Sequence, residues 1–233
     1  MVNFQQNLYN EVHDFKLETE TTGGDINTSQ DISGIEIRLS RVIIKDNKTP
    51  KVFPFPGYAE VYFLNVIISD LATEPISLEV KGFEKVDDGD SLSIDKTLYF
   101  WKKTEDSPEA PSQIHVMSSI IKSKRGMRET GEIMADLKSD DEFKTLSQNI
   151  GALVTNATTV GAISDLVLTV AGIVGKFLGK VDDKPLLSWH QSFTDINGDY
   201  DVLGKTEKHA ENKYVSMNLS ITIRDKELLD DES

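Results

Sequence analysis

The hydrophobic period of the chain changes twice, and those two changes constrain the fold more than any other feature. From Gly34 to Ile121 apolar residues alternate with polar ones or gather in short β-branched and aromatic runs. From about residue 123 to 185 they recur every three to four positions, and from Leu186 they alternate again. A period of two marks half-buried strands and a period of 3.6 marks amphipathic helices. Strands are therefore predicted over Ile35–Leu39 with Val42–Ile44, Tyr58–Ile68, Ile76–Lys81, Leu92–Ile94, Leu98–Trp101, Ile114–Ile121, Leu186–Phe193 and Tyr214–Ile223. Turns fall at 46–50, 54–57 and 87–90, where Asp, Asn, Pro and Gly cluster. Helices are predicted over Met127–Leu137, from a capping box at Ser139 and Glu142 through Val154, and over Val160–Leu178. Strands on both sides of one helical segment predict a mainly β chain. The expectation is a single antiparallel β-sandwich over residues 33–224 with an α-helical hairpin inserted at about 123–185. Residues 1–32 read as a polar acidic arm and 225–233 as an acidic tail.

Charge narrows the function. The formal net charge is −14, and no cysteine occurs. Residues 1–33 carry a net −5 and residues 225–233 a net −4, so most of the excess sits at the two ends. A chain of this balance is a poor match for nucleic acid, whose phosphates need a basic surface. The missing cysteines remove disulfides, thiol catalysis and Cys-based zinc sites. One local exception is Lys122, Lys124, Arg125 and Arg128, four cations within seven residues, which suit an anion or a lipid headgroup. The opening residues show no basic n-region followed by an apolar h-region. A cytoplasmic protein, or one exported by a signal-less route, is expected.

No catalytic motif is found. His13, His115, His190 and His209 are scattered, and no His-Glu-x-x-His or Gly-x-Ser-x-Gly occurs. Gly172-Ile-Val-Gly175-Lys176 lacks the spacing of a phosphate loop, and Phe177 stands where such a loop has Ser or Thr. A bilayer span needs about 20 predominantly apolar residues. Residues 145–164 are uncharged but rich in Ser, Thr, Asn and Gln. The apolar run after Asp165 lasts only from Leu166 to Gly175. No constitutive transmembrane span is expected, and the second long helix reads as buried.

Asp195-Ile-Asn197-Gly-Asp199-Tyr-Asp201 offers several hard oxygens on a short loop, the ligand type Ca²⁺ prefers. It is no EF-hand, because Tyr200 occupies the turn-glycine position and Thr206 that of the bidentate Glu. An Asx-type turn is the plainer reading of the same residues.

Ile35-Glu-Ile-Arg-Leu-Ser-Arg-Val-Ile-Ile-Lys-Asp46, a Pro-rich loop, and Gly57-Tyr-Ala-Glu-Val-Tyr-Phe63 together resemble the opening of a C2 domain. The resemblance extends over about 35–101 and 186–223. It implies an antiparallel sandwich whose apical acidic loops bind Ca²⁺ and dock on anionic lipid, or dock on proteins where the ligands are lost. On that basis Asp46 is implied as a first-loop ligand, with Asp195, Asn197, Asp199 and Asp201 on a later loop. Phe55-Pro56-Gly57-Tyr58 departs from the family's Ser-Asp-Pro-Tyr, and the helical insertion is foreign to a usual member.

The expectation is a non-catalytic binding module that docks on a membrane lipid surface or a protein partner, with Ca²⁺ as the implied cofactor. Two other readings stay open. One is a pore-forming or membrane-disrupting effector that uses the 140–180 helical hairpin. The other is a structural or accessory component of a larger assembly.

Overall fold

The computed structural model describes residues 16–21, 31–54, 57–71, 76–107, 109–123, 130–155, 160–178 and 184–225. Ten strands run in the order β1 (Lys16–Thr21), β2 (Ile32–Ile44), β3 (Ala59–Ser69), β4 (Ile76–Val86), β5 (Ser91–Leu92), β6 (Lys96–Lys102) and β7 (Gln113–Ser123). Helices α1 (Thr130–Ser139), α2 (Asp141–Thr155) and α3 (Val160–Leu178) follow, and then β8 (Lys184–Thr194), β9 (Gly204–Glu211) and β10 (Val215–Asp225). The chain is thus mainly β, and three helices occupy the stretch for which the periodicity predicted helices.

The strands form two antiparallel sheets. One is six-stranded, in the order β1-β9-β10-β2-β5, with β6 also pairing β2; the other is four-stranded, β4-β3-β7-β8. Their facing sides enclose one core. β2 contributes Ile35, Ile37, Leu39, Val42 and Ile44, β10 contributes Met217, Leu219, Ile221 and Ile223, and across the gap stand Val61, Phe63, Ile67, Val116, Trp189 and Phe193.

A second apolar layer explains why β3 is hydrophobic at nearly every position. Its other face, Tyr62, Leu64, Val66 and Ile68, joins Met117 and Ile121 of β7 in a separate cluster with Ile133 and Leu137 of α1 and Val167, Val170, Ala171 and Val174 of α3. The α3 residues recur at i, i+3, i+4 and i+7, one stripe of a helix. A strand buried on both faces needs a continuous apolar run, whereas a half-buried strand alternates. The four-stranded sheet is therefore the middle layer of three.

Two polar strands escaped the periodicity reading. β1 lies inside the expected arm and pairs β9 from Lys16↔Glu211 to Thr21↔Thr206. In sequence, Lys16-Leu-Glu-Thr-Glu-Thr21 alternates charged residues with Leu and Thr. Charge on an edge strand protects it from pairing with another chain. β9 pairs β10 from Gly204↔Ile223 to Glu211↔Ser216, and its only buried residue is Ala210. With Thr206 and Lys208 as the neighbours of Ala210 along that face, no hydrophobic signal marks the strand. Residues 16–21 of the expected arm thus pair into the six-stranded sheet. Residues 1–15 and 22–30 of the arm and 226–233 of the tail lie outside the described residues, while Ile32 opens β2.

Candidate functional site: the two ends of the sandwich

Strand direction sorts the loops. β2 and β4 end where β3, β8 and β10 begin, so the loops at 45–58, 87–90 and 212–214 share one end with the close of β7 at Ser123. The loops at 103–112 and 195–203 lie at the other end. The structure thus keeps Asp195, Asn197, Asp199 and Asp201 together on one loop and puts Asp46 at the opposite end. The β10 residues between them, Val215 to Ile223, span roughly 27–30 Å at the usual strand rise. One ion cannot bridge both groups.

The loop after β8 is held from within. The Asp199 carboxylate accepts the Thr194 N–H at 2.9 Å and lies 3.5 Å from Lys208 Nζ. Tyr200 is buried and donates its hydroxyl to the Phe193 carbonyl at 3.1 Å. Burial pushes that phenol upward. Gly198 has φ 70°, where a Cβ would stand 2.6 Å from Asp201 Oδ2. The Asp199 carboxylate closes the loop backward onto Thr194, five residues earlier, and is not the acceptor of an Asx-type turn; Asp195, Asn197 and Asp201 are exposed. Among the described residues no three His, Asp or Glu side chains converge closely enough to hold a metal ion.

The Asp46 end is built differently. Asn47 is fully buried and uses its whole side chain: Nδ2 donates to the Gly57 and Val86 carbonyls, each at 2.9 Å, and Oδ1 accepts the Thr49 N–H at 2.7 Å. Its own N–H donates to Asp88 Oδ1 at 2.8 Å. Lys51 Nζ sits 2.8 Å from Asp87 and 3.0 Å from Asp88. Lys51 holds the Asp87 carboxyl below the usual carboxylate range, and the Asn47 N–H followed by Lys51 does the same for Asp88. The Asp46 carboxylate accepts the Lys48 N–H at 2.7 Å. These bonds fasten the β2–β3 loop to the β4–β5 turn.

On that fastened base stand apolar side chains with nothing to cover them. Phe53 is 98% exposed, Val52 62% and Tyr58 50%. Lys48 Nζ lies 3.5 Å from the ring centre of Tyr214 and Lys213 Nζ 4.8 Å, within cation–π range. Lys122 donates to Thr49 Oγ1 at 2.6 Å, so this member of the expected cation cluster belongs to the same end. Lys124, Arg125 and Arg128 lie outside the described residues. Sequence reading assigned 46–50 and 54–57 to turns with an extended loop between them and missed the apolar tip, although Val52-Phe53 is an apolar pair in that loop.

No helix among the described residues is long and apolar enough to cross a membrane. The sequence matches no family model and no curated protein.

Proposed function

We propose that the chain is a non-catalytic binding module that docks on a membrane surface through the end carrying Val52, Phe53 and Tyr58. The observation that supports this is Phe53, 98% exposed on a loop whose base is locked by the buried Asn47. A ring held out in water by a rigid base is a residue placed for a partner. A protruding apolar tip suits the soft, fluid interface of a bilayer, where apolar side chains enter the acyl boundary. Burying Phe53 and Val52 is worth about 3–5 kcal/mol together, and 4 kcal/mol corresponds to a dissociation constant of about 1 mM. Lysines near an anionic leaflet add about 1 kcal/mol each. Lys48, Lys122 and Lys213 flank the tip and oppose the repulsion that the acidic body exerts at longer range. The docking is weak and reversible. In C2 terms, the lipid-facing end is the Asp46 end, and the Asp195–Asp201 loop takes no part.

Sedimentation with vesicles of phosphatidylcholine and phosphatidylserine tests the reading, with and without Ca²⁺. Binding is expected to fall at least fivefold in Val52→Ser/Phe53→Ser and to survive chelation. Binding that ignores this double substitution overturns the reading. If it needs Ca²⁺ instead, docking belongs to the acidic loop at the other end.

A further inference from the structure

A groove runs across the outward face of the six-stranded sheet, close to the end that carries the docking tip but on residues the tip does not use. Its shape follows from side-chain size on three neighbouring strands. β10 turns Met217, Leu219 and Ile221 inward, which leaves the short polar Ser216 and Asn218 outward as a floor. β2 raises Arg41 and Ile43 on one side, and β9 raises Glu207 and His209 on the other. Arg41, Asn218 and His209 lie in one row across the three strands. A β-bulge between β2 and β10 falls next to this row, where such irregularities bend a strand and re-aim its side chains. The resulting depression holds about 300 Å³; Lys208 joins Arg41, Ile43, Glu207, His209, Ser216 and Asn218 in its lining.

The hydrogen-bond inventory of the groove leaves donors unused. Asn218 Oδ1 lies 2.7 Å from His209 Nδ1, so the ring nitrogen donates and the Asn218 amide N–H₂ is left over as a donor. Glu207 is paired with Lys205, Glu211 with Lys45 at 3.4 Å, and Arg38 with Asp95 at 2.9 Å. Arg41 alone of these charges makes no ion pair among the described residues. A guanidinium presents a planar fork of donors that matches a carboxylate or phosphate oxygen pair. A pocket near 300 Å³ is at the small end of ligand sites.

We propose that this groove binds an oxyanion-bearing sugar, a sugar acid or a sugar phosphate of monosaccharide size. The oxyanion pairs with the Arg41 guanidinium. Ring hydroxyls meet the Asn218 amide, the Ser216 hydroxyl and the Glu207 carboxylate, and the apolar face of the ring lies against Ile43. A single charged contact on an open face gives a millimolar or high-micromolar affinity.

Titration calorimetry with glucuronate, glucose 6-phosphate and uncharged glucose tests it on the full chain. Either charged sugar should bind, with glucose at least tenfold weaker. Arg41→Gln and Asn218→Asp should each weaken binding at least tenfold; Asn218→Asp keeps the acceptor for His209 and puts a negative charge in the floor. Arg41 is exposed and unpaired, so Arg41→Gln keeps the wild-type melting temperature, and lost binding then reports on the site. Phe53→Ser should bind the sugar as wild type does, which separates this site from the docking tip. No heat with either charged sugar at 10 mM overturns the proposal, and so does equal binding by glucose or by Arg41→Gln.

Discussion

His115 and His190 stack nearly parallel, ring centres 5.9 Å apart and planes within 10°, on the outer face of the four-stranded sheet. His115 pairs across the strands with Ile68, and His190 with Met117, and both of those apolar residues pack under the helices. His115 is fully buried; its Nε2 lies 3.3 Å from Gln113 Oε1 and its Nδ1 2.9 Å from Ser192 Oγ. With the Gln113 oxygen accepting, Nε2 carries the proton and the Ser192 hydroxyl donates to Nδ1, a full set of bonds for a neutral ring. His190 Nε2 is buried without a partner.

The pair makes stability fall with acid. Burial, then the neighbouring His190, pushes His115 down to about 4, and burial lowers His190. Both rings are neutral in the folded chain and titrate near 6.5 when unfolded, so the unfolded chain binds more protons between those values. Their contribution is complete above about pH 6.5 and is lost as the pH falls toward 4. For His115 the ceiling is about 3 kcal/mol, less once solvent screening is counted. Urea midpoints at pH 7.5, 6 and 5 should drop stepwise in the wild type. The slope should be shallower in His115→Gln, and an unchanged slope would exclude the pair as its cause.

Two glycines with similar backbones should respond differently to alanine. Gly89 has φ 87° with nothing within 4 Å of an added Cβ. Gly57 has φ 77°, and the same atom would stand 2.8 Å from Lys51 Cγ, 3.1 Å from the Pro50 carbonyl and 3.2 Å from that of Thr49. Gly89→Ala pays only the left-handed strain, about 1 kcal/mol. Gly57→Ala adds a collision with backbone and should cost at least about 2 kcal/mol. Equal losses in chemical denaturation would show that the loop yields around Gly57.

How much of this was legible beforehand depends on where the apolar side chains point. β2, β3, β7, β8 and β10 bury a whole face each, so their periods were plain. β1 and β9 are rich in charged residues and Thr and carried no such signal. The continuous run of β3 was visible, but its cause, a helical layer on one face and a sheet on the other, needs the third dimension. Acidic residues were equally visible at 46 and 195–201; only strand direction shows them at opposite ends. The Arg41 groove has no signature in one dimension, because its row joins residues from three strands.

The start of α2 is a second case where local pattern and geometry part, and it yields a measurable difference. The sequence suggested Ser139 as N-cap with Glu142 closing a capping box. Instead Asp140 Oδ1 accepts the Phe143 N–H at 2.9 Å, while Ser139 donates backward to the Asp136 carbonyl at the end of α1. Asp140 follows α1 directly and caps the next helix with a charged acceptor, which the helix dipole favours. Asp140→Ala should therefore cost about 1 kcal/mol and Ser139→Ala clearly less, read from thermal unfolding of the two variants. The reverse ranking would restore Ser139 as the cap.

Asn47 joins stability to the docking tip, and the two can be separated by substitution. Asn47→Ala leaves the buried Gly57 and Val86 carbonyls without their donor and frees the Thr49 N–H, a loss of about 2–3 kcal/mol. Asn47→Asp keeps the acceptor for Thr49 but has no N–H for either carbonyl, and it buries a carboxylate near Asp88, so it should fare no better. Phe53→Ser removes nothing that the fold uses, since the ring is 98% exposed, and should leave the denaturation midpoint where it was. The expected pattern is then crossed. Val52→Ser/Phe53→Ser loses vesicle binding at full stability, while Asn47→Ala, assayed well below its midpoint, loses stability and, through a loosened base, part of its binding. If Asn47→Ala binds vesicles as the wild type does, the tip needs no rigid support, and lipid contact rests on the exposed side chains alone.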